Sequence, residues 1–228
     1  MRARPLLFAV VLPAAAACGS VKQLAADASP AGDAPAPDAA TCPTPLLTGG
    51  TDVGPQGWSV VMQPPATLSY CADYVKLQTS TGATTSGQLL LSYPGAVDVG
   101  KPFKIQVVML VEMVKPHNLF DAGAAILGSF VPPFGVGNDR DEMIYLDAAS
   151  IGWADDTQSF AVAVTDNAYH TYELTVDASG AATVSVDGTR ALTRNGFTTN
   201  GAIAIGDQTN DPNVDSTLRI RSVTRLCP

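Results

Sequence analysis

Few side chains in this 228-residue chain are equipped for covalent or metal chemistry: four cysteines, two histidines, and 21 acids of which only Glu112, Glu142 and Glu173 are glutamate. Glycoside hydrolysis needs two carboxylates flanking the scissile bond, about 5–5.5 Å apart for retention and about 6.5–9.5 Å for inversion. Within one strand that calls for acids two residues apart, because alternate side chains share a face. Glu112 is followed two positions on by Val114, Glu142 by Ile144 and Glu173 by Thr175, so no glutamate begins such a pair. Asp141 and Glu142 are adjacent and would face opposite sides. His117, after Pro116, and His170, in an alternating stretch, stand in neither a G-x-S-x-G nor an H-E-x-x-H context. His170 is expected to be a hydrogen-bonded structural histidine, and His117 a turn residue with no cysteine or histidine beside it. No catalytic set is expected.

Binding chemistry is better represented. Asp207, Thr209, Asp211, Asn213 and Asp215 place an oxygen at every second position, dense enough for a hard cation such as calcium. This is not an EF-hand, since Pro212 takes the glycine position and Leu218 the glutamate position. The competing reading is a loop whose acids bond its own backbone. Asp155-Asp156 and Asp139-Arg140-Asp141 are weaker candidates of the same kind. For a small ligand, the turn-rich run from Phe130 to Asn138 offers Phe134 and the amide of Asn138. Trp153, shortly before Asp155, could stack on a sugar ring; the alternative for Phe134 and Trp153 is closure of the core.

The elements that must position these residues begin after a targeting segment. Residues 1–17 combine Arg2 and Arg4 with the apolar run Leu6 to Leu12 and end on four alanines, a signal peptide too short to span a bilayer. Ala15-Ala16-Ala17-Cys18 resembles the lipobox of bacterial lipoproteins, which implies a lipid on Cys18. Gly19 after the cysteine, by the same resemblance, points to the outer membrane or cell surface. Residues 25–40 contain only Ala, Asp, Pro, Ser and Gly, so 18–41 reads as the lipidated cysteine and an extended tether. Removing 1–17 leaves 11 bases against 21 acids, a balance that repels nucleic acid.

Residues 42–228 are expected to form one domain with a sizeable core. Phe103, Ile105, Val107, Met109, Val111 and Met113 alternate with mostly polar neighbours, and Tyr172, Leu174 and Val176 do the same. Asp177-Ala178-Ser179-Gly180 and Asp187-Gly188 read as turns. Further strands are expected at 87–93, 123–130, 143–147, 158–164, 201–205 and 217–224. No window shows a helical period, so the fold class is all-β, a two-sheet antiparallel sandwich or jelly roll.

Ile151-Gly152-Trp153, Tyr169-His170-Thr171-Tyr172, Val184-Ser185-Val186-Asp187-Gly188 and Ile205-Gly206-Asp207, in this order, resemble the laminin G-like members of the concanavalin A-like lectin/glucanase superfamily. The resemblance covers about residues 85–224 and rests on structural rather than catalytic motifs. It implies that first and last strands are neighbours, and hence a Cys42–Cys227 disulfide that leaves Cys71 as a buried thiol. With the anchor implied by the lipobox-like segment, the reading is a surface-anchored, non-catalytic binding module, and carbohydrate is its first ligand class on this resemblance alone. The rivals are a protein-binding or structural envelope component and a divergent glycoside hydrolase or lyase.

Overall fold

The computed structural model describes residues 19–20, 42–79, 87–131 and 142–228. Cys18, the signal peptide and residues 21–41 lie outside that set. The described chain is all-β, with no α-helix and a single 3-10 turn at Gly54–Gln56. Its strands are β1 (Gly19–Ser20), β2 (Thr44–Thr48), β3 (Ser59–Met62), β4 (Thr67–Tyr70), β5 (Val75–Gln78), β6 (Leu89–Tyr93), β7 (Phe103–Val114) and β8 (Ala125–Leu127). They continue with β9 (Met143–Asp147), β10 (Ser150–Trp153), β11 (Ser159–Ala161), β12 (His170–Val176), β13 (Ala182–Val186), β14 (Thr189–Arg194), β15 (Ile203–Asp207) and β16 (Ser216–Leu226).

A nine-stranded sheet runs β1-β4-β5-β16-β7-β12-β13-β14, with β2 also paired to β16. A seven-stranded sheet runs β11-β10-β9-β8-β15-β6-β3. The pairing is antiparallel, as between β7 and β12 or β15 and β6. Alternation decides which side chains meet between the sheets. Phe103, Ile105, Val107, Met109 and Val111 point inward from β7, and Tyr172, Leu174 and Val176 join them from β12.

The seven-stranded sheet is apolar on both faces. Ile126, Ile144, Leu146, Ile203 and Ile205 face the main core, whereas Ala125, Leu127, Met143, Tyr145 and Ala204 form a second cluster with Phe130, Ala122 and Ala154. The outer face therefore has to be roofed by loops, and this is where polar residues accumulate. Asp187-Gly188 turns between β13 and β14 with both residues at positive φ, 50° and 78°, which suits a tight hairpin. Asp177 accepts from the amides of Ser179 and Ala181, as the turn reading of that segment required.

Candidate functional site

On the outer face of the seven-stranded sheet, β9 carries Tyr145 opposite Gly152 of β10. A Cβ at position 152 would sit 2.5 Å from the tyrosine ring, so only glycine lets the ring lie flat across its partner strand. The imidazole of His117 stacks on Tyr145 with centroids 3.5 Å apart and planes 13° off parallel. His117 belongs to the loop that leaves β7, and its Nδ1 lies 2.8 Å from Asp147 while its Nε2 lies 2.9 Å from Asp156. Its backbone amide also donates to Asp147, at 2.9 Å. Burial alone would lower the pKa of His117, but hydrogen bonds and charge from Asp156 and Asp147 overcome it and raise the value. The ring is held between two carboxylates.

The same loop is braced from the other side by the segment joining β15 to β16. The amide of Asn118 donates to Asp211 at 3.1 Å, and Gln208 donates to Asp121 at 2.9 Å and to the carbonyl of Phe120 at 3.0 Å. Lys115 donates to Asp215 and to the carbonyl of Pro212, each at 2.5 Å. The surface so assembled offers carboxylates of Asp147 and Asp156, the amide of Asn118 and the 58% exposed side chain of Leu119, with Tyr145 buried beneath the His117 ring. His117 and Lys115 are both engaged by acids, so the acceptors that remain suit a ligand bearing many hydroxyl donors rather than an anion.

The structure redistributes the residues singled out from sequence. Trp153 is fully buried, its indole donates to the carbonyl of Thr193 and Arg194 lies 4.5 Å over its ring, so it closes the core and presents no face to a sugar. Asp155 pairs with Arg194 and accepts from Thr157. Phe134 and Asn138, and the Asp139-Arg140-Asp141 run, lie outside the described residues. Asp207 and Asp215 are both buried, but Asp211 turns away to Asn118 and Asn213. Among the described residues no three His, Cys, Asp or Glu side chains converge as a metal requires, so the calcium set expected at Asp207, Asp211 and Asp215 is not assembled.

Cys42 and Cys227 are bonded, with Cα atoms 5.4 Å apart. Cys71 is itself disulfide-bonded, which corrects the expectation of a buried thiol. The three glutamates are engaged: Glu112 with Lys76 and Arg219, Glu173 with Lys104 and Gln106, and Glu142 with the amide of Thr198 and with Arg194. His170 lies between Asp187 and Asp166, at 2.6 and 3.0 Å, the second clamp of the kind seen at His117. Sequence reasoning passed over the His117–Tyr145 cluster. Its one local signal was Gly152 facing an aromatic strand residue, which becomes visible only when the register is known.

Neither a protein-family model nor a curated protein matches the sequence. Solved structures do match in fold. The exoplasmic/lumenal domain of VIP36 in its Ca2+- and mannose-bound form is 14% identical, with a TM-score of 0.55 over 79% of this chain and 88% of that one. The carbohydrate recognition domain of Emp47p is 13% identical, with a TM-score of 0.55 over 84% and 99%. The carbohydrate esterase vb_24B_21 of the Shiga toxin-encoding bacteriophage phi24B is 18% identical, with a TM-score of 0.53 over 82% and 100%. The chain thus has the β-sandwich fold of these lectin domains.

Proposed function

We propose that this protein is a non-catalytic carbohydrate-binding module displayed at the outer membrane or cell surface. The observation that carries the reading is the His117–Tyr145–Asp147 cluster, an acceptor-rich surface on a sandwich shared with a mannose-bound domain. Sugar hydroxyls donate to carboxylates and amides, and the exposed apolar edge of Leu119 suits the C–H face of a sugar ring. A glycan array probed with the full secreted chain, in calcium and in chelator, tests it. Binding to a defined glycan, weakened by Asp147→Asn, is expected. A folded chain that binds no glycan in either condition would favour the protein-binding or structural alternative.

The likeness to a carbohydrate esterase raises a second reading, hydrolysis of sugar esters. The chain has two histidines, and both nitrogens of each face aspartates, so neither imidazole is placed to activate a hydroxyl. No release of acetate from acetylated polysaccharide is expected.

Attachment through a lipid on Cys18 belongs to the same proposal. That lipid takes the cysteine sulfur as a thioether. Detergent phase partitioning of wild type and Cys18→Ser tests the attachment: the wild type is expected in the detergent phase and the variant in the aqueous phase, and equal aqueous partitioning of both would overturn it.

A further inference from the structure

The segment between β15 and β16 buries two carboxylates where a cation would be the ordinary remedy. Asp207 ends β15 and Asp215 precedes β16; both side chains are fully buried. Oδ1 of Asp207 accepts from the amide of Thr209, and Oδ2 of Asp215 accepts from Lys115. The remaining oxygens, Asp207 Oδ2 and Asp215 Oδ1, have no protein donor. Two orphaned acceptors at full burial demand either an ion, a water or a proton. The charged groups packed around Asp207 are Asp215, Asp121 and, through Asp215, Lys115. One ammonium balances one carboxylate and leaves the other in excess. The neighbouring folds crystallised with calcium, such as VIP36, make a metal the first thing to test. It does not fit here: among the described residues no three acids converge as metal ligands, Asp211 is committed to Asn118 and Asn213, and an ammonium already occupies Asp215.

We infer that this junction is neutralised by a lysine and a proton instead of a metal: Asp207 is a carboxylic acid, while Lys115 holds Oδ2 of Asp215. One proton then removes the excess charge that the single ammonium leaves. Burial supports this by pushing Asp207 up to about 8, against hydrogen bonds from Thr79 and Thr209 and aided by the charges of Asp215 and Asp121. The junction braces the candidate site, because Gln208 and Asp211 hold the 115–121 loop that carries His117. Its order is therefore governed by pH and not by calcium.

The inference does not rest on carbohydrate binding and is tested without a ligand. Asp207→Asn is uncharged at every pH and keeps an acceptor for Thr209, so it mimics the protonated acid permanently. Wild-type Asp207 keeps its proton when folded and loses it when unfolded, so its contribution fades as pH rises from the ordinary carboxylate range to about 8. The melting temperature of Asp207→Asn relative to wild type should accordingly rise across that window and then level. Calcium and chelator should leave both proteins unmoved, and the wild type should show the infrared band of a buried protonated carboxyl at neutral pH. A wild type stabilised by calcium in a manner lost in Asp207→Asn would overturn the inference. So would parallel pH profiles of the two proteins. Should the variant not fold, absence of the infrared band from wild type would overturn it alone.

Discussion

His170 shows how one side chain couples a turn to a strand. Its two nitrogens meet Asp187 in the β13–β14 hairpin and Asp166 before β12, while Asp187 also accepts from the amide of Thr171. Burial would lower its pKa, but hydrogen bonds to Asp187 and Asp166 with their charges raise it; Asp166 is lowered first by the amide of Ala168 and then by His170, and Asp187 is lowered against its burial by His170 and the amide of Thr171. A histidine raised in the folded state stabilises below its unfolded value and ceases to do so as pH rises through the folded one. His170→Gln should therefore cost most stability in mildly acidic buffer, with the gap to wild type closing as pH rises; urea midpoints across pH would show it. A gap that widens with pH would contradict the clamp. Trp153 carries the opposite lesson. It was legible as an aromatic beside acids, yet nothing local told a stacking platform from a core residue. Register settles that question, since Ile151 and Trp153 share the inward face of β10. Trp153→Ala should cost about 3–5 kcal/mol in denaturant unfolding. Binding lost by a variant of undiminished stability would show the indole to be a ligand contact.

At the scale of elements, legibility followed strand length. β7, β12 and β13 stand where alternation placed them, because five or more residues of period two outvote local noise. β2 to β5 were not anticipated: each has four or five residues, and β2 contains Pro45. β2 and β5 are strands because β16, eleven residues long, offers one edge to both, while β4 pairs with β5 and β3 with β6. The outer ion pairs of Glu112 and Glu173 are likewise products of pairing across strands, and they are exposed enough to add little stability. The Cys42–Cys227 bond ties the chain just before β2 to the end of β16 across a separation of 185 residues. The chain-entropy model puts its contribution on the order of 5 kcal/mol at most. The double variant Cys42→Ser, Cys227→Ser should unfold at lower denaturant by about 2–5 kcal/mol while keeping its strand content by circular dichroism. An unchanged midpoint would mean that β2 and β16 hold together without the crosslink.

For the whole molecule, the sandwich was readable from composition and period, whereas the candidate site was not. Low charge, scarce glutamate and turn-spaced alternation leave few folds open. The site, in contrast, draws His117, Tyr145, Asp147 and Asp156 from three segments up to 39 residues apart, and is braced by a fourth almost a hundred residues from the first. No spacing rule reaches that far. The acidic excess that excludes nucleic acid is also compatible with a neutral, hydroxyl-rich ligand, which needs acceptors rather than cations. Affinity electrophoresis through gels containing mannan, β-glucan or galactan measures this directly on the full chain. The account predicts that at least one polysaccharide retards the wild type and that Asp147→Asn, equally folded, runs unretarded. Free migration of the wild type in every gel, or equal retardation of the variant, would contradict it.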